Sequence, residues 1–113
     1  TPDDLKLRAR VGLAEALAAD GDLRAAGDEL APALRRADDL PDPVAARAFA
    51  VLGDVRRDAG ERRQAALAYL RAFVFGHTDG AARAGFEAAK LIEADPELGG
   101  KDRADEVRQE LRQ

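Results

Sequence analysis

Cysteine, serine, asparagine, methionine and tryptophan are all missing from the 113 residues, and His77 is the one histidine. These gaps exclude Ser and Cys nucleophiles, thiolate metal sites, disulfides and N-glycosylation. Strand-forming residues are scarce, with six Val, one Ile, four Phe and one Tyr, so a β-sheet protein is not expected. Long apolar runs are missing too. The longest stretches without a formal charge are seven residues (64–70 and 72–78), against about twenty for a membrane span. Neither charge sign dominates: 18 basic and 22 acidic residues are interspersed for a net of −4. There is no basic patch of the kind a nucleic-acid binder carries. No signal peptide is visible. The chain opens on Thr1 and has no Met, which reads as a fragment or processed piece of a longer protein. The expectation is a soluble chain, cytoplasmic or periplasmic, since the absence of cysteine fits either compartment.

What the chain does have is alanine, 26 residues of it, with 14 Leu and a hydrophobic fraction of 46%. Alanine is the best helix former, and this length suits one domain, residues 1–113. Turn-type clusters punctuate the chain at Asp20-Gly21-Asp22, Asp39 to Pro43, Ala59-Gly60-Glu61, Gly76 to Gly80 and Asp95 to Gly100. They predict six helices: Asp3–Ala19, Leu23–Asp38, Pro43–Ala59, Arg62–Phe75, Gly80–Ala94 and Asp102–Arg112. Gly21, Gly60 and Gly76 stand where a left-handed residue ends a helix. Asp42 is expected to cap the third helix ahead of Pro43, Thr78 or Asp79 the fifth, and Asp102 the sixth. Pro32 falls inside the second helix, and the in-phase series Leu23, Leu30, Leu34, Ala37 predicts one kinked helix rather than two. The apolar faces read as Phe49, Leu52 and Val55 or Arg56 in the third helix, and as Ala66, Leu67, Leu70, Phe73 and Val74 in the fourth. Ala104, Val107 and Leu111 form a narrow face in the sixth. The fifth helix is apolar nearly all round and should be packed on more than one side.

The pattern repeats. Phe49, Leu52-Gly53, Gly60, Ala65, Tyr69 and Ala72 have counterparts 39 residues earlier in Arg10, Leu13-Ala14, Gly21, Ala26, Leu30 and Ala33. Counterparts 34 residues later include Arg83, Phe86-Glu87 and Lys90. The middle copy, Phe49-x2-Leu52-Gly53-x2-Arg56 followed by Ala65-x3-Tyr69-x2-Ala72, resembles the tetratricopeptide repeat (TPR). That family's pattern is Trp-x2-Leu-Gly-x2-Tyr, then Ala-x3-Phe, Ala and Pro. Its closing Pro falls here on His77. The first copy needs five extra residues between Ala37 and Pro43, and in the third Glu87 replaces the small residue. The resemblance implies an all-α fold of three antiparallel helical hairpins, approximately 3–38, 43–76 and 79–112, stacked as a short right-handed TPR-like solenoid. Small residues at Ala14, Ala26, Gly53 and Ala65 would let paired helices approach, with Leu13, Leu17, Leu52, Leu67 and Phe86 filling the space between. Fifteen Arg against three Lys, with the alanine excess, suggest a GC-rich genome and so a bacterial member of the family.

Candidates for chemistry are few. His77 reads as a general base, a metal ligand or a polar turn residue; with no second His or Cys to complete a site, the turn residue is favoured. Asp20, Asp22, Asp38 and Asp39 fall at helix ends, where carboxylates cap. Asp20-Gly21-Asp22 lacks the further ligands of a calcium loop. Neither an enzyme nor a catalytic, cofactor or metal residue is expected. In the family resembled, the first helix of each pair lines a concave peptide groove. On that face lie Arg47, Ala50, Asp54, Arg57 and Asp58 of the third helix and Arg8, Val11, Glu15, Ala18 and Ala19 of the first. Ala81, Ala84, Ala88, Leu91 and Ile92 are their counterparts in the fifth. The resemblance thus implies a protein–protein interaction module that takes a peptide or partner domain through Arg8, Glu15, Arg47, Asp54, Arg57 and Asp58. Arg47 and Arg57 would be its charged anchors. The alternative is a structural segment of a longer solenoid, or a self-associating unit that pairs through the fifth helix as a homo-oligomer.

Overall fold

A computed structural model describes the backbone of residues 2–75 and 79–111, and the side chains of 5–75 and 83–111. The helices are α1 (Pro2–Ala19), α2 (Leu23–Arg35), α3 (Asp42–Asp58), α4 (Arg62–Val74), α5 (Asp79–Ala94) and α6 (Gly100–Leu111). Short 3₁₀ turns stand at Ala37–Asp39 and Pro96–Leu98, and no strand occurs among the described residues. The protein is all-α.

The turns follow the glycines. Gly21 and Gly60 take φ of 87° and 80°. After α1, the Gly21 N–H donates to Ala18 and the Asp22 N–H to Leu17; after α3, Gly60 donates to Arg57 and Glu61 to Arg56. Both are the Schellman stop, in which two orphan carbonyls are satisfied at a left-handed residue. The residues that then open α2 and α4 share one backbone conformation, Asp22 at φ −89°, ψ 72° and Glu61 at φ −88°, ψ 74°. The Asp22 carboxylate also accepts from the Ala25 N–H. Gly76, His77 and Thr78 lie outside the described residues.

Other boundaries differ from expectation. α2 runs through Pro32 as one helix but stops at Arg35, because Ala37–Asp39 tighten into a 3₁₀ turn. The residue preceding α3 is Pro41, with Asp42 already helical. α6 begins at Gly100 rather than at Asp102, since Gly99 and Gly100, at φ 117° and 63°, turn the chain as soon as the 3₁₀ segment ends.

Each helix packs on the next in the chain, and α1 also touches α3, as α3 touches α5. The result is 44 Å long and 29 × 21 Å across. One cluster joins Leu7, Val11 and Ala14 of α1, Leu30 of α2 and Val44, Ala48 and Val51 of α3. A second joins Phe49, Tyr69, Ala72, Ala84 and Ala88, and a third Ala89, Ile92, Ala104 and Val107. Phe49 stacks on Phe75 at 5.7 Å between centroids. Gly53 is needed for contact: a Cβ built there would stand 2.4 Å from the Tyr69 ring.

The small residues are buried as expected, but the residues that fill the space between helices are not the leucines first assigned. Leu67 and Phe86 are 60% and 47% exposed. Leu13 is exposed as well, while Leu17 and Leu52 are half-buried beside the core. The largest fully buried side chains are Val11, Leu30 and Tyr69. α5 is packed on more than one side, by α3, α4 and α6, and α4 lies between α3 and α5. The buried face of α4 is Ala65, Ala66, Ala68, Tyr69 and Ala72, and Val74 points outward. With alanine on so many faces, the phase of a stripe cannot be taken from leucine alone: the buried side is the one where alanine lets backbones close.

Candidate functional site

The face formed by α1, α3 and α5 is built by charge. Arg47 of α3 donates to the Glu15 carboxylate of α1, with Nε at 3.0 Å. That hydrogen bond raises the Arg47 pKa above its ordinary value. Further along α3, Asp54 accepts from both terminal nitrogens of Arg83 on α5, each at 3.3 Å, and lies 3.5 Å from Arg57. Arg57 reaches across to Glu87 of α5 at 2.7 Å, and Lys90 stands 3.4 Å from the same carboxylate. The helical spacing explains the alignment. Asp54 and Arg57 are three apart on α3, and Arg83 and Glu87 four apart on α5, so each helix presents two charges on one face.

Tyr69 ties this surface to the core. Its ring is buried beneath Gly53, and its hydroxyl donates to Asp54 Oδ1 at 2.5 Å. The Arg57 guanidinium lies 5.8 Å from the ring centroid. Burial, reinforced by the bond to Asp54, pushes the phenol pKa well above its ordinary 10.0, so the hydroxyl stays a donor.

Between the helices lies an open groove of about 340 Å³, lined by Glu15, Ala18, Ala19, Leu23, Val51, Asp54, Arg57 and Arg83. Glu15, Asp54 and Arg57, expected as groove residues, meet there. Arg47 reaches the face through its bond to Glu15 but does not line the groove. Arg8 is exposed on α1 and is not among the lining residues either. Asp58 lines a different groove, of about 420 Å³ between α2 and α3, floored by Leu23, Ala31, Leu34, Leu52 and Val55.

The α5 side differs from expectation. Ala84, Ala88 and Ile92 are buried against neighbouring helices of the same chain, Leu91 is half-buried, and Ala81 lies outside the described side chains. α5 turns Arg83 to the groove instead, and Glu87 to Arg57. The sequence comparison had aligned both residues with the middle copy, yet carried no sign that they would bond to Asp54 and Arg57. Tyr69 enters the sequence reading only as a position of the repeat, because sequence does not tell where a tyrosine hydroxyl emerges.

Compared with protein-family models, with curated proteins and with solved structures, the chain matches none of them.

The arrangement offers alternating cations and carboxylates on an open face. The Arg47–Glu15 pair is the exposed one, and exposed pairs typically contribute about 0–1 kcal/mol, so an incoming charged group can exchange with it at small cost.

Proposed function

We propose that the chain is a protein–protein interaction module of TPR type, three antiparallel helical hairpins stacked as a short right-handed solenoid. On this reading a peptide or partner segment of mixed charge binds across α1, α3 and α5. The stacking is supported by the order of helix contacts and by the 39-residue correspondence between the first two pairs. The binding role is carried by one observation: the groove takes Glu15, Asp54, Arg57 and Arg83 from three helices into one open surface. Both charge signs are present there, so a uniformly acidic or uniformly basic ligand meets repulsion as well as attraction. Arg47 and Arg57 lie ten residues apart on α3, about 15 Å along the axis at 1.5 Å per residue, a span suited to an extended or helical segment.

The test is selection of peptides from a random displayed library against the folded chain, with backbone amide shifts mapping where the selected peptide sits. Shifts centred on Ala18, Val51, Asp54 and Arg83, and binding lost in Arg47→Ala/Arg57→Ala, are the expected result. Binding that survives the double change, or shifts confined to the α2–α3 groove, overturns it.

A second reading is a structural segment of a longer solenoid with no peptide ligand. It is favoured by the way Arg47 and Arg57 are already engaged by Glu15 and Glu87. In that role the ion pairs tie successive hairpins together.

A further inference from the structure

The outward side of α1 is apolar. Leu5 and Leu13 are 68% and 48% exposed, Ala9 and Ala16 are exposed between and beyond them, and a Cβ built at Gly12 would meet nothing within 4 Å. At 100° per residue these five fall within about 100° of arc, opposite the buried face of Leu7, Val11 and Ala14. A solvated helix normally carries its charges on that side.

The 39-residue correspondence says what such a face is for. Leu5, Ala9, Gly12 and Leu13 are the counterparts of Val44, Ala48, Val51 and Leu52 on α3. In α3 those residues belong to the cluster shared with α1 and α2: Val44, Ala48 and Val51 are buried in it and Leu52 packs against it. The face that α3 buries under the preceding hairpin is the face α1 leaves open. The helix starts match as well, Pro2-Asp3 at the opening of α1 standing 39 residues before Pro41-Asp42 at the opening of α3. The other end of the molecule is different. α6 exposes Lys101, Asp102, Arg103, Asp105, Glu106 and Glu110. A polar outer face is what a terminal repeat needs. It also makes the α6 end of a second copy a poor cover for the α1 stripe.

We infer that the Leu5–Ala9–Gly12–Leu13 face of α1 is a stacking surface for a further helical hairpin of this chain's own repeat type, placed before α1 as α1–α2 is placed before α3. This rests on the stacked-hairpin part of the proposed function and is independent of peptide binding. The occupant is a hairpin whose packing side is alanine- and leucine-rich, like that of α1–α2, and it needs no charge complementarity to the groove.

The experiment supplies that hairpin. A second copy of residues 2–40 is placed directly ahead of Pro2 of the 113-residue chain, and urea unfolding of the extended and original proteins is compared. The expected result is a single transition with a higher midpoint and a slope steeper by about a third, as the added length implies if the new hairpin unfolds with the rest. Leu5→Lys with Leu13→Lys in the original segment should abolish that gain while leaving the midpoint of the 113-residue chain unchanged. A separate transition for the added hairpin overturns the inference. So does a gain that survives the lysine pair. Sedimentation of the 113-residue chain provides the remaining arm: a concentration-dependent dimer that the lysine pair dissolves would show that a second copy covers this face. None of these readings involves a groove ligand, so failure of the peptide-binding proposal leaves them intact.

Discussion

In the first helical pair the buried counterparts are Ala14 and Leu30; in the middle pair, 39 residues on, they are Gly53 and Tyr69. The larger side chain on the second helix goes with the smaller residue on the first, so the volume at the two positions is shared differently while both remain filled. The exchange also changes the chemistry. Leu30 ends in the core, whereas Tyr69 carries a hydroxyl through to the groove face and gives Asp54 a donor. Asp54 in turn holds Arg83. One repeat position thus serves packing alone in the first pair, and packing plus the positioning of a charged surface in the second.

The largest effect is expected where this difference is sharpest. Gly53→Leu should exceed the roughly 1–3 kcal/mol typical of overpacking, because even the Cβ would overlap the Tyr69 ring. At about 4 °C per kcal/mol for a domain of this size, the melting midpoint should fall by more than about 10 °C. An unchanged midpoint would mean that the middle pair does not depend on this close approach. Leu30→Ala tests the other pair and should cost about 2–5 kcal/mol through lost burial and the cavity left behind. Denaturant melts that rank the two substitutions in reverse order would break the comparison.

Tyr69→Phe separates packing from polarity. At neutral pH it should cost about 0.5–1.5 kcal/mol, since Asp54 keeps its bond to Arg83. The pH dependence is more telling. The folded-state phenol pKa is raised, so its contribution is fully present below pH 10 and is lost as pH rises, because the unfolded chain ionises first. Wild type should therefore lose stability above pH 10 faster than Tyr69→Phe, and parallel alkaline melting curves would count against the buried donor. Removing the exposed Arg47–Glu15 bond by Arg47→Ala should change stability by no more than about 1 kcal/mol, in a salt-dependent way. A larger loss, seen equally at low and high salt, would make that pair a structural tie rather than an exchangeable surface contact.

Features set by local backbone are legible in the sequence, and features set by packing are not. Gly21 and Gly60 could be placed from sequence because a left-handed stop is a local requirement, met within six residues of backbone. The start of α6 was misplaced by two residues because Gly99 and Gly100 both turn the chain, and composition does not say where the turn ends. Leu67 and Phe86 were assigned inward on the strength of their size, yet both face outward while alanines face the neighbouring helices. Spacing puts Asp54 and Arg57 on one face of α3, and the family resemblance alone sets Glu15 of α1 beside them; that Arg83 and Glu87 of α5 bond to that pair is not legible without the packed helices.

The helices, most of their ends and the 39-residue equivalence of the first two pairs can be read from the chain of residues, because propensity, capping and period are properties of neighbours. Which of several alanine-bearing faces turns inward, the turning of Arg83 and Glu87 toward α3, and the emergence of Tyr69 beneath Asp54 depend on the packed helices. Those are set by how closely two backbones approach across space. In a chain where alanine lies on nearly every face, that distance is decided by the whole set of neighbours and not by the residues of any one helix.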